Sequence, residues 1–328
     1  MQEHKIGNTA LKVTRLGLGT APLGGLYHPV SEEDALTTFE LAWHSGIRFF
    51  DTAPQYGNGN SERRLGKFLA NKCRDQFVVA TKVGRLLRKP SEPMGEDQYY
   101  KGTPEERPVF DFSYDGVMRS VDESLTRLGL SRIDILHIHD PDDHFDDAIK
   151  GAYRALEKLR AQGTIAAVGA GMNQSEMLAR FAREGQFDCF LLAGRYTLLE
   201  QKSLDQFLPL CVEKNISVII GGVYNSGLLA NPTGTAKFNY QDADQDLVDR
   251  AQKLQAVCLA HGVSLRAAAL QFPFAHPAVH SVLLGPRNAV ELADNLAQFA
   301  QRIPNALWAD LKSAKLLDAR ALIPTLVP

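Results

Sequence analysis

Residues 133–141 read IDILHIHDP, and residues 145–163 read FDDAIKGAYRALEKLRAQG. The first run is short and apolar up to its last histidine, the composition of a strand buried on both faces. The second repeats apolar residues at three- and four-residue spacing and stops at Gly163, as an amphipathic helix does. A buried strand feeding a helix is half of a parallel crossover, so this unit predicts others like it.

They occur along the whole chain. LGLGT (16–20), IRFFDTA (47–53), QFVVATKVG (76–84), IAAVGAGM (165–172), CFLLAGRYT (189–197), ISVIIGGVY (216–224) and HSVLLGP (280–286) are runs of the same kind. A helical pattern follows each; after the first run, Ser31 suits an N-cap and Gly46 a C-terminal stop. A length of 328 residues allows one large barrel or two smaller domains. Eight repeats with no linker-like stretch between them predict an α/β fold, one (β/α)8 TIM barrel over 1–328, with irregular insertions at about 85–113 and 225–245.

The formal charge of −2 supplies no basic surface, so neither nucleic acid nor membrane is an expected partner. No run is apolar for long enough to span a bilayer, and MQEHKIGNTALKV at the start has no signal-peptide core. Cys73, Cys189, Cys211 and Cys258 are widely spaced, which predicts free thiols and a reducing, cytoplasmic setting.

A barrel carries its chemistry at the C-terminal ends of its strands. Asp51 and Tyr56 follow the second run, Lys82 ends the third, and His139 and Asp140 end the fourth; Asn173 and Asn225 follow the fifth and seventh. Neighbouring strands bring Asp51, Tyr56, Lys82 and His139 into one region. A tyrosine with a reference pKa of about 10 is a poor base at neutral pH. A lysine cation stabilises its phenolate, a carboxylate holds the lysine, and a histidine orients the substrate oxygen.

The dinucleotide fingerprint G-x-G-x-x-G is absent. Gly17/Gly19, Gly57/Gly59 and Gly169/Gly171 are followed by Pro22, Glu62 and Gln174 where a third glycine belongs. If a nicotinamide cofactor binds this chain, it therefore binds in the barrel mouth.

DTAPQYGNGNSERRLG (51–66) resembles the D-x-A-x-x-Y-G…S-E-x-x-L-G signature of the aldo-keto reductase superfamily. ATKVG (80–84) resembles that family's lysine strand and IDILHIHDP its histidine strand. The resemblance runs in order from GLGTAPLGG (17–25) to GPRNAVELADN (285–295). It implies NAD(P)-dependent hydride transfer by a catalytic tetrad of Asp51, Tyr56, Lys82 and His139, with Tyr56 as acid/base and Lys82 as its modulator.

GAGMNQ (169–174), LLAGRYTLLEQ (191–201) and GGVYNSGLL (221–229) depart from the common pattern. Asn173 and Gln174 stand where a Ser-Asn pair holds the carboxamide, Ala193 replaces a glutamine, and Gly221 a stacking tyrosine. The same segments resemble a bacterial subgroup of aldose 1-dehydrogenases that act on L-fucose, D-threo-aldoses, D-arabinose or L-galactose, with pyridoxal 4-dehydrogenases as relatives. The implied reaction oxidises an aldose such as L-fucose at its anomeric carbon to the lactone. Pyridoxal oxidation through the same hemiacetal chemistry, or general NADPH-dependent reduction of aldehydes and ketones, are the alternatives.

Cofactor contacts implied by the resemblance come from Gly19, Thr20, Asp51, Asn173, Asn225, Ser226, Gly227, Leu228, Gly285, Arg287, Glu291 and Asn295. Arg287 suits a 2′-phosphate and Glu291 repels one, so NAD and NADP both stay open. A small sugar substrate is expected to meet Tyr27, Tyr56, His139, Asp140 and Arg195, with His28, Tyr99 and Tyr100 close by.

The stretch LHIHDPDDH (136–144) is dense enough in ligand-type residues to suggest a metal. His4, His28, His44, His261, His276 and His280 are scattered, and only His28 falls in an active-face loop, so no metal is expected. Strand alternation puts His137 and His139 on one face, His137 deeper and structural, His139 at the catalytic end. Asp140 or Asp142 would touch sugar hydroxyls, and Asp143 and His144 would cap the next helix.

Overall fold

Eight parallel strands close into a barrel in the computed structural model, which describes residues 1–92, 95–233, 237–238 and 241–324. They are Leu16–Gly19, Phe49–Asp51, Val78–Val83, Ile135–His139, Ala167–Met172, Cys189–Ala193, Ser217–Gly221 and Val279–Leu284. Each pairs with the next in chain order, and Val282 opposite Leu16 closes the ring. The fold is the expected (β/α)8 TIM barrel. Strands are shorter than their apolar runs. The fourth stops at His139 because Asp140 turns into the left-handed region, φ 41°, before Pro141, which has no N–H for the ladder.

Alternation divides each strand between two cores. Outward residues such as Leu18, Phe50, Val79, Leu136, Ile138 and Val168 meet the helices in one continuous apolar layer. Inward residues Phe49, Ala80, Ile135, Ala167, Cys189, Leu191, Ile219 and Leu283 fill the barrel floor. Two positions further along three of these strands, the inward column becomes Asp51, Lys82 and His137. Interior glycines fit between the bulky neighbours. A Cβ on Gly169 would lie 2.2 Å from His137 Nδ1, and one on Gly17 2.7 Å from the Phe49 ring.

Helix ends follow their caps. Ser31 Oγ accepts the Asp34 N–H at 3.0 Å to start Glu32–His44, and Gly46 leaves that helix at φ 85°. Tyr114–Leu128 begins on Ser113 and ends on Gly129 in the same way. The segment after the fourth strand is helical from Phe145, with a π-helical stretch at Ala148–Ala152. His144 occupies its N-cap position but makes no side-chain capping bond.

Three features differ from the sequence expectation. The 85–113 insertion is not wholly irregular: Arg85–Arg88 pairs antiparallel with Arg107–Phe110. The same insertion is stitched to the loop after the first strand, since Tyr27 N donates to Tyr99 O at 2.7 Å and Lys101 N to Gly25 O at 2.9 Å. In the 225–245 insertion, Lys237–Phe238 pairs with Gln241–Asp242. Finally, Glu3–Lys5 and Lys12–Thr14 form a hairpin whose Ile6 and Val13 seal the barrel floor. The seal is an alternating apolar pattern too short to read as strands alone. Among the described residues no helix is long and apolar enough to cross a membrane.

Candidate active site

Ladder register sets the candidate catalytic cluster. Asp51 lies opposite Gly19 and Ala80, Lys82 opposite His137, and His139 opposite Gly171. Three adjacent strands thus raise Asp51, Lys82 and His139 to the same end of the barrel. Tyr56 reaches them from the loop after the second strand.

Lys82 is almost wholly buried, 1% exposed, so its charge needs partners. Its Nζ donates to Asp51 Oδ2 at 2.7 Å and to Thr52 O at 2.9 Å. The same nitrogen lies 4.5 Å from the centre of the Tyr56 ring. That ring meets His139 edge-on, centroids 5.8 Å apart at 88°, and has Tyr100 6.4 Å away on another side. All four expected tetrad residues converge.

Burial drives the carboxyl of Asp51 upward and the Lys82 ammonium opposes it. The His139 imidazole is held well below its ordinary value, first by burial and then by the charges of Arg85 and Lys82. His139 is therefore a neutral hydrogen-bonding ring at pH 7. His137, directly beneath, is pushed down to about 3 by burial and Lys82. Neither His137 nitrogen has a hydrogen-bond partner among the described residues. It is the deeper of the two histidines, as expected, and neither of its nitrogens is satisfied there.

A polar scaffold that sequence reading missed supports the tyrosine loop. Ser61 Oγ, wholly buried, sits 2.6 Å from Thr20 Oγ1 and 2.9 Å from Thr52 Oγ1, and Thr20 Oγ1 donates to Asp51 O at 2.9 Å. Glu62, also wholly buried, accepts Thr81 Oγ1 at 2.7 Å and Arg127 Nε at 2.5 Å. These bonds tie the helix after Tyr56 to the first, second and third strands. The signal was a Ser-Glu pair opening a helix whose other inward positions are apolar.

Several expected cofactor residues stand around the opposite rim. Asn225, Ser226 and Gly227 all have positive φ, 47°, 55° and 102°. Two consecutive non-glycine residues in that region are sparse, and such backbone collects at binding sites. Asn225 Nδ2 donates to Gly194 O at 3.0 Å, while its buried Oδ1 has no partner among the described residues. Asn173 is half-buried after the fifth strand. Gln174 is exposed and hydrogen-bonded to Asp142, which engages the carboxylate expected to meet sugar hydroxyls. Gly19 ends the first strand, and Gly285 follows the eighth beside Pro22.

Other residues are committed differently from the expectation. Thr20's hydroxyl is enclosed in the Ser61 network and Asp51 is bound to Lys82 beneath the tyrosine. Leu228 is wholly buried in the outer core, so only its main chain remains for a cofactor. Asn295 Oδ1 accepts the Tyr224 hydroxyl at 2.9 Å. Arg287 and Glu291 are bound to each other: Nε donates to Oε1 at 2.8 Å, and the Arg287 backbone N–H to Oε2 at 2.8 Å. Among substrate candidates, Tyr27 is 37% exposed with φ 65°, and Arg195 is half-buried. Asp140 turns its carboxylate onto Arg85 rather than outward.

The chain matches the family model described as Aldo/keto reductase family over residues 15–315. It is 43% identical to pyridoxal 4-dehydrogenase of Microbacterium luteolum, with 97% of this chain and 98% of that protein covered. It is also 43% identical to D-threo-aldose 1-dehydrogenase of a Pseudomonas species, over 94% and 95% of the two chains. Among solved structures, an aldo-keto reductase of Bacillus halodurans in its holo form superposes with a TM-score of 0.76 at 23% identity, covering 98% of each chain. The fold, the convergent tetrad and a match across nearly the whole length place this chain in the aldo/keto reductase family of NAD(P)-dependent oxidoreductases.

Proposed function

We propose that this enzyme oxidises an aldose, L-fucose or a closely related sugar, at its anomeric carbon to the corresponding lactone. One observation carries the reading: a neutral histidine and a lysine-backed tyrosine meet at the barrel mouth with no thiol beside them. Oxidising a free aldehyde to an acid by covalent catalysis needs a nucleophilic thiolate. Cys189 lies in the barrel floor and Cys211 in a helix, both driven upward by burial, and Cys258 is pushed up to about 12. Cys73 is exposed ahead of the third strand, at the far end of the barrel from Tyr56. A cyclic hemiacetal needs no thiol, because loss of hydride from its anomeric carbon gives a lactone directly.

The left-handed turn at Asn225–Gly227 and the unpartnered Asn225 Oδ1 fit a polar ligand laid along that rim. A bound nicotinamide dinucleotide supplies the hydride acceptor. Tyr56, as the phenolate that the Lys82 cation stabilises, takes the anomeric hydroxyl proton and becomes neutral, Asp51 fixes Lys82, and neutral His139 hydrogen-bonds the oxygen. In this reading Tyr27 and Arg195 meet the remaining hydroxyls, and Asp140 does so through Oδ1 while its Oδ2 stays on Arg85.

The pyridoxal reading has its own support. The Microbacterium relative is named for it, and pyridoxal is also a cyclic hemiacetal. Assaying L-fucose, D-arabinose, L-galactose, pyridoxal and simple aldehydes in both directions, by nicotinamide absorbance, separates these readings. Rapid sugar oxidation is the expected outcome. Aldehyde reduction without sugar oxidation would replace the proposal with a general reductase.

We further propose NAD as the preferred cofactor. Arg287 is the cation expected to meet a 2′-phosphate, yet its Nε and Nη2 both donate to Glu291 Oε1, which adds a negative charge at the same point. A 2′-phosphate must break that pair, whereas a 2′-hydroxyl need not. Glu291→Gln is expected to raise kcat/KM for NADP relative to NAD about tenfold. An unchanged ratio would remove this pair from cofactor selection.

A further inference from the structure

The 85–113 insertion delivers a mostly buried cation, Arg85, to the flank of the catalytic histidine. Its Nη2 donates to Asp140 Oδ2 at 3.0 Å, and that same oxygen lies 3.4 Å from His139 Nε2. Packing fixes the cation as well as charge does. The guanidinium sits 4.6 Å from the centre of the Phe110 ring, and Phe110 is the ladder partner of Arg85 across the insertion hairpin. Phe110 in turn stacks on Phe112 at 5.7 Å.

Asp140 faces the histidine because of its backbone. It takes φ 41° while its N–H still donates to Gly171 O at 3.0 Å, the last bond of the ladder that pairs His139 with Gly171, and its carboxylate turns back toward the ring. A non-glycine residue seldom adopts that conformation, and where it does a local function is a common reason.

A carboxylate this close to an imidazole ordinarily draws a proton onto the ring. The other groups facing His139 are Lys82 from the third strand, His137 from its own strand, Tyr56 from the tyrosine loop and Arg85 from the insertion. Asp140 is faced by Arg85, Lys82 and, as a like charge, Asp142. Of these, only Arg85 touches the oxygen that would otherwise pair with the ring.

We infer that Arg85 is a positioning residue of this active site: by engaging Asp140 Oδ2 it keeps that carboxylate from pairing with His139, leaving the neutral imidazole to hydrogen-bond the substrate oxygen. The inference rests on the reading of His139 as the oxygen-orienting group. It makes the insertion part of the catalytic electrostatics.

Ring 15N NMR of the full-length chain without substrate tests it, with His139→Asn assigning the signal. The wild-type ring is expected to be neutral at neutral pH. In Arg85→Met the ring's titration midpoint should rise above that of the wild type, and kcat/KM on the acid side should fall about tenfold relative to wild type. Arg85→Lys should restore the wild-type behaviour, and adding Asp140→Asn to Arg85→Met should bring the midpoint back down. A midpoint that does not rise in Arg85→Met, or a ring already cationic at neutral pH in the wild type, overturns the inference. If Arg85→Met does not fold, Phe110→Leu loosens the same cation and must move the midpoint upward; no movement overturns it equally. Because the NMR arm needs no substrate, failure of every sugar in the activity panel would count against the proposed function and leave this test standing.

Discussion

Replacing Tyr56 with phenylalanine is expected to lower turnover by about a thousandfold or more, with cofactor affinity nearly unchanged. The substitution removes one hydroxyl and keeps the ring. Its edge-on contact with His139, its neighbour Tyr100 and the Lys82 ammonium 4.5 Å from its centre all remain. What is lost is the group proposed to take the substrate proton. His139 is a poor substitute, since burial, Arg85 and Lys82 all disfavour the protonated ring that such a transfer would create. Steady-state rates in both directions and a cofactor titration by protein fluorescence check the expectation. Turnover within about tenfold of wild type would exclude Tyr56 as the acid/base.

The barrel and its tetrad were legible in the sequence for one physical reason. Both depend on period-two alternation, which survives in short strands. Asp51, Lys82 and His137 each lie two residues beyond a floor residue, Phe49, Ala80 and Ile135, and His139 two further on. Once the strands are placed in parallel order, that spacing aims the side chains. Arg85 was not legible, because in sequence it is one charge at the start of a polar insertion. Its role arises only when the hairpin pairs it with Phe110 and the backbone of Asp140 reverses.

Ser61 and Glu62 were half-legible. Both belong to the motif quoted for the family, but polar residues commonly begin helices, and nothing local reveals that both are wholly buried. The Arg287–Glu291 pair shows the intermediate case. Each residue was read alone and the two pointed in opposite directions. Their four-residue spacing allows them to meet, and the structure pairs them.

Lys82→Met should produce the largest loss of stability, and that loss should depend on pH in a defined direction. Lys82 is the partner of Asp51 Oδ2, while Asp51 Oδ1 has no partner among the described residues. Methionine fills similar space but leaves a buried carboxylate uncompensated, a change that typically costs about 3–5 kcal/mol. In the wild type, burial raises the Asp51 carboxyl and Lys82 opposes the rise. Without Lys82 that opposition is gone, so the folded-state pKa climbs further above the unfolded value of about 3.9. A carboxyl raised in the folded state binds more protons there than in the unfolded chain, so stability falls as pH rises between the two values. Lys82→Met should therefore lose more stability relative to wild type at pH 8 than at pH 5, and the double variant Asp51→Asn/Lys82→Met should recover much of the deficit at pH 8. Urea denaturation of the three proteins at both pH values provides the comparison. Equal deficits at the two pH values would mean that the cost of losing Lys82 is packing and not the stranded charge. Turnover should collapse in both variants, because either one removes the cation beside Tyr56 that favours its phenolate.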